Sequence, residues 1–174
     1  MTNGIVTFAK YNQEANRKIL ELLNKLSNEE REKERGSYYR SLSGLVRHIG
    51  GGSLFFAGLF RGALGSAPAA KPLAALEKID FPSDTLSEAQ WNKTAADIET
   101  VDQGLVNFAG ALNDAGLTAP VKLDWYGGDP ADVPLFFMFY QLTVHNTHHR
   151  GQVSQILDEL KIDNDYSAIN VAFR

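Results

Sequence analysis

PLFFMFYQLTVHNTHHRGQVSQI, residues 134–156, decides how the rest of the chain is read. Leu135, Met138, Leu142, His145, His149, Gln152 and Ile156 recur at steps of three and four. That is the period of one face of an α-helix. The face is apolar at both ends and carries imidazoles in its middle. The spacing predicts a helix from about Asp132 to Leu160, with Pro134 in its first turn. Its apolar ends require a core to bury against, and its middle requires a chemical explanation.

Three more segments carry the same period. About Thr7 to Leu26 aligns Phe8, Asn12, Ala15, Ile19, Leu22 and Leu26, with Asn12 as the polar exception. About Leu42 to Leu59 aligns Leu45, His48, Gly52, Phe55 and Leu59. About Ser87 to Leu112, capped by Ser87, aligns Trp91, Ala95, Ile98, Leu105, Phe108 and Leu112. Four long amphipathic segments in one chain predict an all-α four-helix bundle, a single domain over residues 1–174. The run NEEREKERG, residues 28–36, reads as a solvated helix end and turn closed by Gly36. RGALGSAPAAKP, residues 61–72, reads as a long crossover loop, and VKLDWYGGDPADVP leaves room for one short hairpin turning at Gly127 and Gly128. The triplet Gly50–Gly52 costs roughly 1 kcal/mol of helix propensity per glycine. It either breaks the second helix or leaves space for a close approach.

The bulk numbers bound the function. The chain has 174 residues, 44% of them hydrophobic, and a formal net charge of −4 with both signs interspersed. That gives no footprint for nucleic acid or for an anionic membrane. MTNGIVTFAKYNQEANRK lacks the pattern of a secretory signal, and the apolar run Ile49–Phe60 is too short to span a bilayer, so a cytoplasmic protein is the expectation. With no cysteine, thiolate metal sites and a cysteine nucleophile are excluded. Any thiol chemistry must use a thiol that arrives as a small molecule.

The histidines therefore carry the functional argument. The chain has four, and His145, His148 and His149 fall within five residues. His145 and His149 are one turn apart on the core-facing stripe, and His48 sits on the equivalent stripe of the second segment. Burying three unpartnered imidazoles is unfavourable, and close imidazoles resist protonation. A divalent metal resolves both, because neutral imidazole ligates zinc, nickel, copper or iron(II). An i, i+4 pair plus one histidine from a facing helix fills three tetrahedral positions and leaves one for water or substrate. A single histidine such as His48, taken alone, is more often a hydrogen-bonded core residue; three on inward faces reverse that weighting. His148 lies about 100° around the helix from His149, on the flank of the stripe. Spacing alone leaves a His145/His148 pair open. Gln152 and Asn12 are candidate second partners of the ligands, and Arg150 reads as exposed or paired with a distant acid. No acid stands three residues before any histidine, which removes the di-iron pattern; no HExxH, phosphate loop or dinucleotide fingerprint occurs.

HNTHHRGQ (residues 145–152) with the preceding PLFFMFYQLTV resembles the last helix of the DinB family, the DinB/YfiT-like metalloproteins. SLSGLVRHIGGGSLFF resembles that family's second helix with its single histidine, and YNQEANRKILELL its opening helix. The likeness covers nearly the whole chain in order. It implies a four-helix bundle holding one metal, nickel or zinc, through His48, His145 and His149. It also implies a homodimer and a small-molecule substrate. Some relatives use low-molecular-weight thiols as S-transferases or isomerases, so the implied activity is thiol or water attack on a small electrophile. A non-catalytic metal-binding or stress-response protein is the alternative. Two departures stand out: Gln141 occupies a place where some members carry a further histidine, and the tail DYSAINVAFR diverges.

Overall fold

The computed structural model describes residues 2–124 and 131–173. Its helices are α1 (Thr2–Leu23), α2 (Asn28–Glu32), α3 (Leu42–Leu64), α4 (Lys71–Ala74), α5 (Glu88–Ala111), α6 (Asp114–Leu117) and α7 (Leu135–Glu159). The four long ones, α1, α3, α5 and α7, form the expected all-α bundle. α1 packs on α5 and α3 on α7, and the α1–α7 and α3–α5 contacts close the ring. Among the described residues no helix is long and apolar enough to cross a membrane.

Local chemistry explains where the helices begin. Ser41 accepts a hydrogen bond from the Gly44 amide and starts α3. Ser87 and Gln90 exchange side-chain and backbone bonds in a capping box that starts α5; such caps contribute about 1 kcal/mol each. α7 begins at Leu135 rather than near Asp132. Strand β1 (Pro120–Leu123) pairs antiparallel with β2 (Ala131–Pro134), so Asp132 is committed to the ladder before the helix can start. The turn expected at Gly127 and Gly128 lies outside the described residues.

Three other expectations need correction. The charged run is not wholly solvated: it forms α2, and Arg31 is buried. Its guanidinium lies 4.8 Å from the Trp91 ring, donates to the Leu23 and Leu26 carbonyls, and pairs with Glu88. The crossover after α3 is not bare loop, because short helical turns at Pro68–Lys78 bury Leu73 and Leu76. The stripe assigned to α3 is displaced: Phe55 is 48% exposed, while Leu42, Leu45, Val46, Ile49, Phe56 and Phe60 form the buried line. His48 and Gly52 therefore lie at the edge of that line, half-buried rather than central. The glycine triplet does not interrupt α3.

The core has two apolar clusters. One gathers Phe56, Phe60, Leu105, Phe108, Leu135 and Phe139; the other gathers Ile19, Leu23, Leu45, Trp91, Val153 and Leu157. On α7 the first ends at Leu142 and the second begins at Val153. Between them Asn146, His149 and Arg150 are buried, and α1 and α5 contribute buried Asn12, Asn16 and Asp102 near the same level. Arg150 is not exposed, as the sequence suggested. It donates to Asn12 Oδ1 (2.9 Å), Asn16 Oδ1 (3.2 Å) and Thr147 Oγ1 (3.1 Å), and lies over Tyr11. The Asn16 amide in turn donates to both carboxylate oxygens of Asp102 (3.1 and 3.0 Å).

Burial pushes the Asp102 carboxyl up to about 7, only partly offset by the Asn16 hydrogen bond and the Arg150 charge. The folded chain then holds a proton that the unfolded chain releases near its ordinary value of 3.8. The stability this contributes is present in full below the unfolded value and is lost as pH rises through the folded one. Asp102→Asn removes the titration. Its stability relative to the native chain is expected to improve between about pH 4 and about pH 8 by on the order of a few kcal/mol. Urea unfolding of both proteins at the two pH values measures this; a pH-independent difference would refute the assignment.

Candidate metal centre

α3 and α7 bring three imidazoles together. His48 Nε2 lies 2.9 Å from His145 Nε2 and 3.0 Å from His149 Nε2. One ligating nitrogen from each lies within 4.8 Å of the others, so the three histidines could hold one metal ion. His148 is exposed and stands outside this cluster; its ring meets that of His149 edge-on at 4.8 Å.

The ring orientations follow from the neighbours. His145 Nδ1 faces Asn146 Oδ1 at 3.1 Å, and the Asn146 amide donates to Ser53 Oγ on α3 at 3.1 Å. His149 Nδ1 faces Gln152 Oε1 at 2.8 Å. An amide oxygen can only accept, so both Nδ1 atoms carry the proton and both Nε2 atoms present lone pairs. Those lone pairs point at His48 Nε2, which can offer them one proton at most and also lies 2.9 Å from the Tyr39 hydroxyl. Several acceptors therefore converge with too few protons between them, the arrangement that a cation satisfies. Donors on a tetrahedral zinc, about 2.0–2.1 Å from the metal, stand roughly 3.3 Å apart. The observed separations approach that figure, so the residues present fit a metal.

Burial favours the ligating, neutral form of His48 and His149. Burial, reinforced by the neighbouring His149 and His145 charges, pushes His48 down to about 4. Burial also lowers His149, with the Gln152 hydrogen bond opposing and the other histidines adding to it. The His48 imidazole thus stays neutral well into the acidic range.

Gly52 leaves space for a close approach, the second of the two readings of the triplet. A Cβ there would lie 2.5 Å from His145 Cε1, so the missing side chain is the room in which the His145 ring sits. Gln152 fills its expected part as partner of His149. Asn12 serves Arg150 instead of a ligand. Spacing did not reveal Tyr39, whose ring stacks on His48 (centroids 4.0 Å, 24°) and meets His149 edge-on at 5.1 Å. It comes from the segment before α3, and no periodicity connects it to α7. Asn16 and Asp102 were legible in principle, as polar interruptions of stripes read only for their apolar members.

Two cavities adjoin the cluster. One of about 640 Å³ is lined by Tyr38, Tyr39, Arg47, His48, Gly51 and Phe81, among others. The other, about 400 Å³, is lined by Tyr38, Tyr39, His148, Gln152 and Ile156, among others. Arg47 spends its guanidinium on the Pro82 and Asp84 carbonyls, which ties the segment before α5 to the first cavity's wall.

No curated protein and no solved structure matches the chain. The family model described as the DinB family matches residues 1–160, nearly the whole length, and takes in both helices that carry the histidine cluster. The chain belongs to the DinB family.

Proposed function

We propose that the protein is a metalloenzyme that uses one divalent ion, nickel or zinc, to activate a low-molecular-weight thiol or water against a small electrophile. The ligands in this reading are His48, His145 and His149. One observation carries it: three imidazoles present Nε2 atoms to one another, and one of them, His48, lines a cavity of about 640 Å³. A small-molecule substrate fits that volume, and an S-transferase-like reaction accords with a cysteine-free chain that must take its thiol from solution. A cytoplasmic homodimer is part of the proposal.

A bound divalent ion would supply Lewis acidity, lowering the pKa of a thiol or water in the remaining position. The chain's own residues do the rest. Asn146 and Gln152 hold the outer rings in one tautomer, so the donors do not reorganise. The Ser53 hydroxyl ties that arrangement to α3. Tyr39 roofs His48 and lines both cavities, which puts it at the entrance for a substrate. One observation favours the second reading, a non-catalytic metal-binding protein: the Tyr39 hydroxyl stands only 2.9 Å from His48 Nε2, where an incoming ligand would approach.

Elemental analysis of protein prepared without a histidine tag is expected to find about one divalent ion per chain. His48→Ala, His145→Ala and His149→Ala should each lose stoichiometric binding, and His148→Ala should retain it. A His148 variant that loses metal while the His149 variant keeps it would contradict the ligand set. Chelation should lower the melting temperature, because the metal binds the native state alone; at a free concentration ~100 times the dissociation constant the gain is about 2.7 kcal/mol. An unchanged melting curve after verified metal removal counts against a site between helices. Gly52→Ala should displace the His145 ring and weaken metal binding by on the order of 10–100-fold while the circular dichroism of the bundle persists. Unaltered affinity would show that the ring has another place to go.

A further inference from the structure

Tyr39 is built into the centre more firmly than a passing neighbour would be. His48 Nε2 has three close partners at nearly equal distance: His145 Nε2 at 2.9 Å, His149 Nε2 at 3.0 Å, and the Tyr39 hydroxyl at 2.9 Å. The phenol oxygen therefore stands to His48 as the other two donors do. Its ring is held by stacking on His48 and by an edge contact with His149.

The backbone that delivers it is equally constrained. Arg40, next in sequence, adopts φ +67°, and the Ser41 amide donates back to the Tyr39 carbonyl at 2.7 Å. A positive φ at a residue other than glycine is strained and persists only where its surroundings impose it. The Tyr39 carbonyl also folds over the first turn of α3. There a Cβ at Gly44 would stand 1.9 Å from that oxygen, so only glycine admits the fold-back. Sequence, turn and helix start thus combine to place one phenol against two of the three imidazoles, His48 and His149.

The geometry points to the Tyr39 phenolic oxygen as the fourth donor of the resting metal centre. This rests on the metal reading of the three histidines and deepens it: the donor set is three imidazole nitrogens and one phenolic oxygen. Coordination forms one metal–oxygen bond, and the phenolic proton passes to water. Tyr39 lines both cavities, so an exogenous ligand that takes the fourth position from either side must displace the phenol. Turnover and metal retention then depend on the same residue in opposite ways.

Cupric ion is the probe, since a coordinated phenolate gives it a charge-transfer band in the visible that imidazole does not. The full chain loaded with one equivalent of copper is compared with Tyr39→Phe, which keeps the stacked ring and removes only the oxygen. Zinc affinity of both is measured by competition with a chromophoric chelator. The expected result is a band in the native chain, its absence in Tyr39→Phe, and zinc affinity weakened in the variant by on the order of 10–100-fold. Gly44→Ala, which displaces the Tyr39 carbonyl while leaving the phenol intact, should lose the band as well. Stoichiometric copper bound without the band, or zinc affinity equal in the native chain and Tyr39→Phe, overturns the fourth-donor assignment while leaving the three-histidine centre standing. Failure of both proteins to bind either ion overturns the assignment together with the metal reading.

Discussion

The middle of α7 is polar on more than one side, and only one rotation of the helix satisfies all of it. Arg150 is buried and needs the Asn12 and Asn16 oxygens of α1. Asn146 is buried and needs Ser53 on α3. Turning α7 away would leave a guanidinium or an amide in the core without partners, a cost of several kcal/mol for the charge alone. With both anchors made, His145 and His149 face His48. The apolar clusters at the two ends stabilise the bundle, while the polar residues between them set its angular registry.

That registry is what makes the histidine cluster chemically useful. Amide oxygens on both outer rings fix the protons on Nδ1, and burial favours the neutral form of His48 and His149. The site is thus prepared for a cation before one arrives, so little reorganisation opposes binding. Its place at the edge of α3's buried line, rather than in the deep core, matters as well. A fully enclosed site could hold an ion but admit no substrate, whereas here His48 lines one cavity and Tyr39, stacked on it, lines that cavity and a second.

Much of this was legible in the residues, and the rest failed for identifiable reasons. The period of three and four found all four long helices because each buries a stripe. It also pointed to His48, His145 and His149 as one cluster, since i, i+4 spacing gives His145 and His149 a shared face and His48 interrupts the apolar stripe of another helix. It misplaced the α3 stripe because glycines blur the period: Gly50 to Gly52 could be assigned to either line. It started α7 too early because a strand pairing with β1 is non-local and leaves no mark on helical periodicity. Arg150 was read as exposed or paired with a distant acid because charge alone was weighed, without the amide partners from α1 some 134 residues away in sequence. Tyr39 was invisible for a similar reason, since only the folded turn at Arg40 and the bare Gly44 bring it to His48.

The central claim is that one ion bridges α3 and α7 through His48, His145 and His149. Anomalous diffraction at the absorption edge of the metal found by elemental analysis tests it most directly. The account predicts one anomalous peak per chain, about 2.0–2.2 Å from the Nε2 atoms of those three residues. A peak bound through His148, or held by one helix alone, would contradict it.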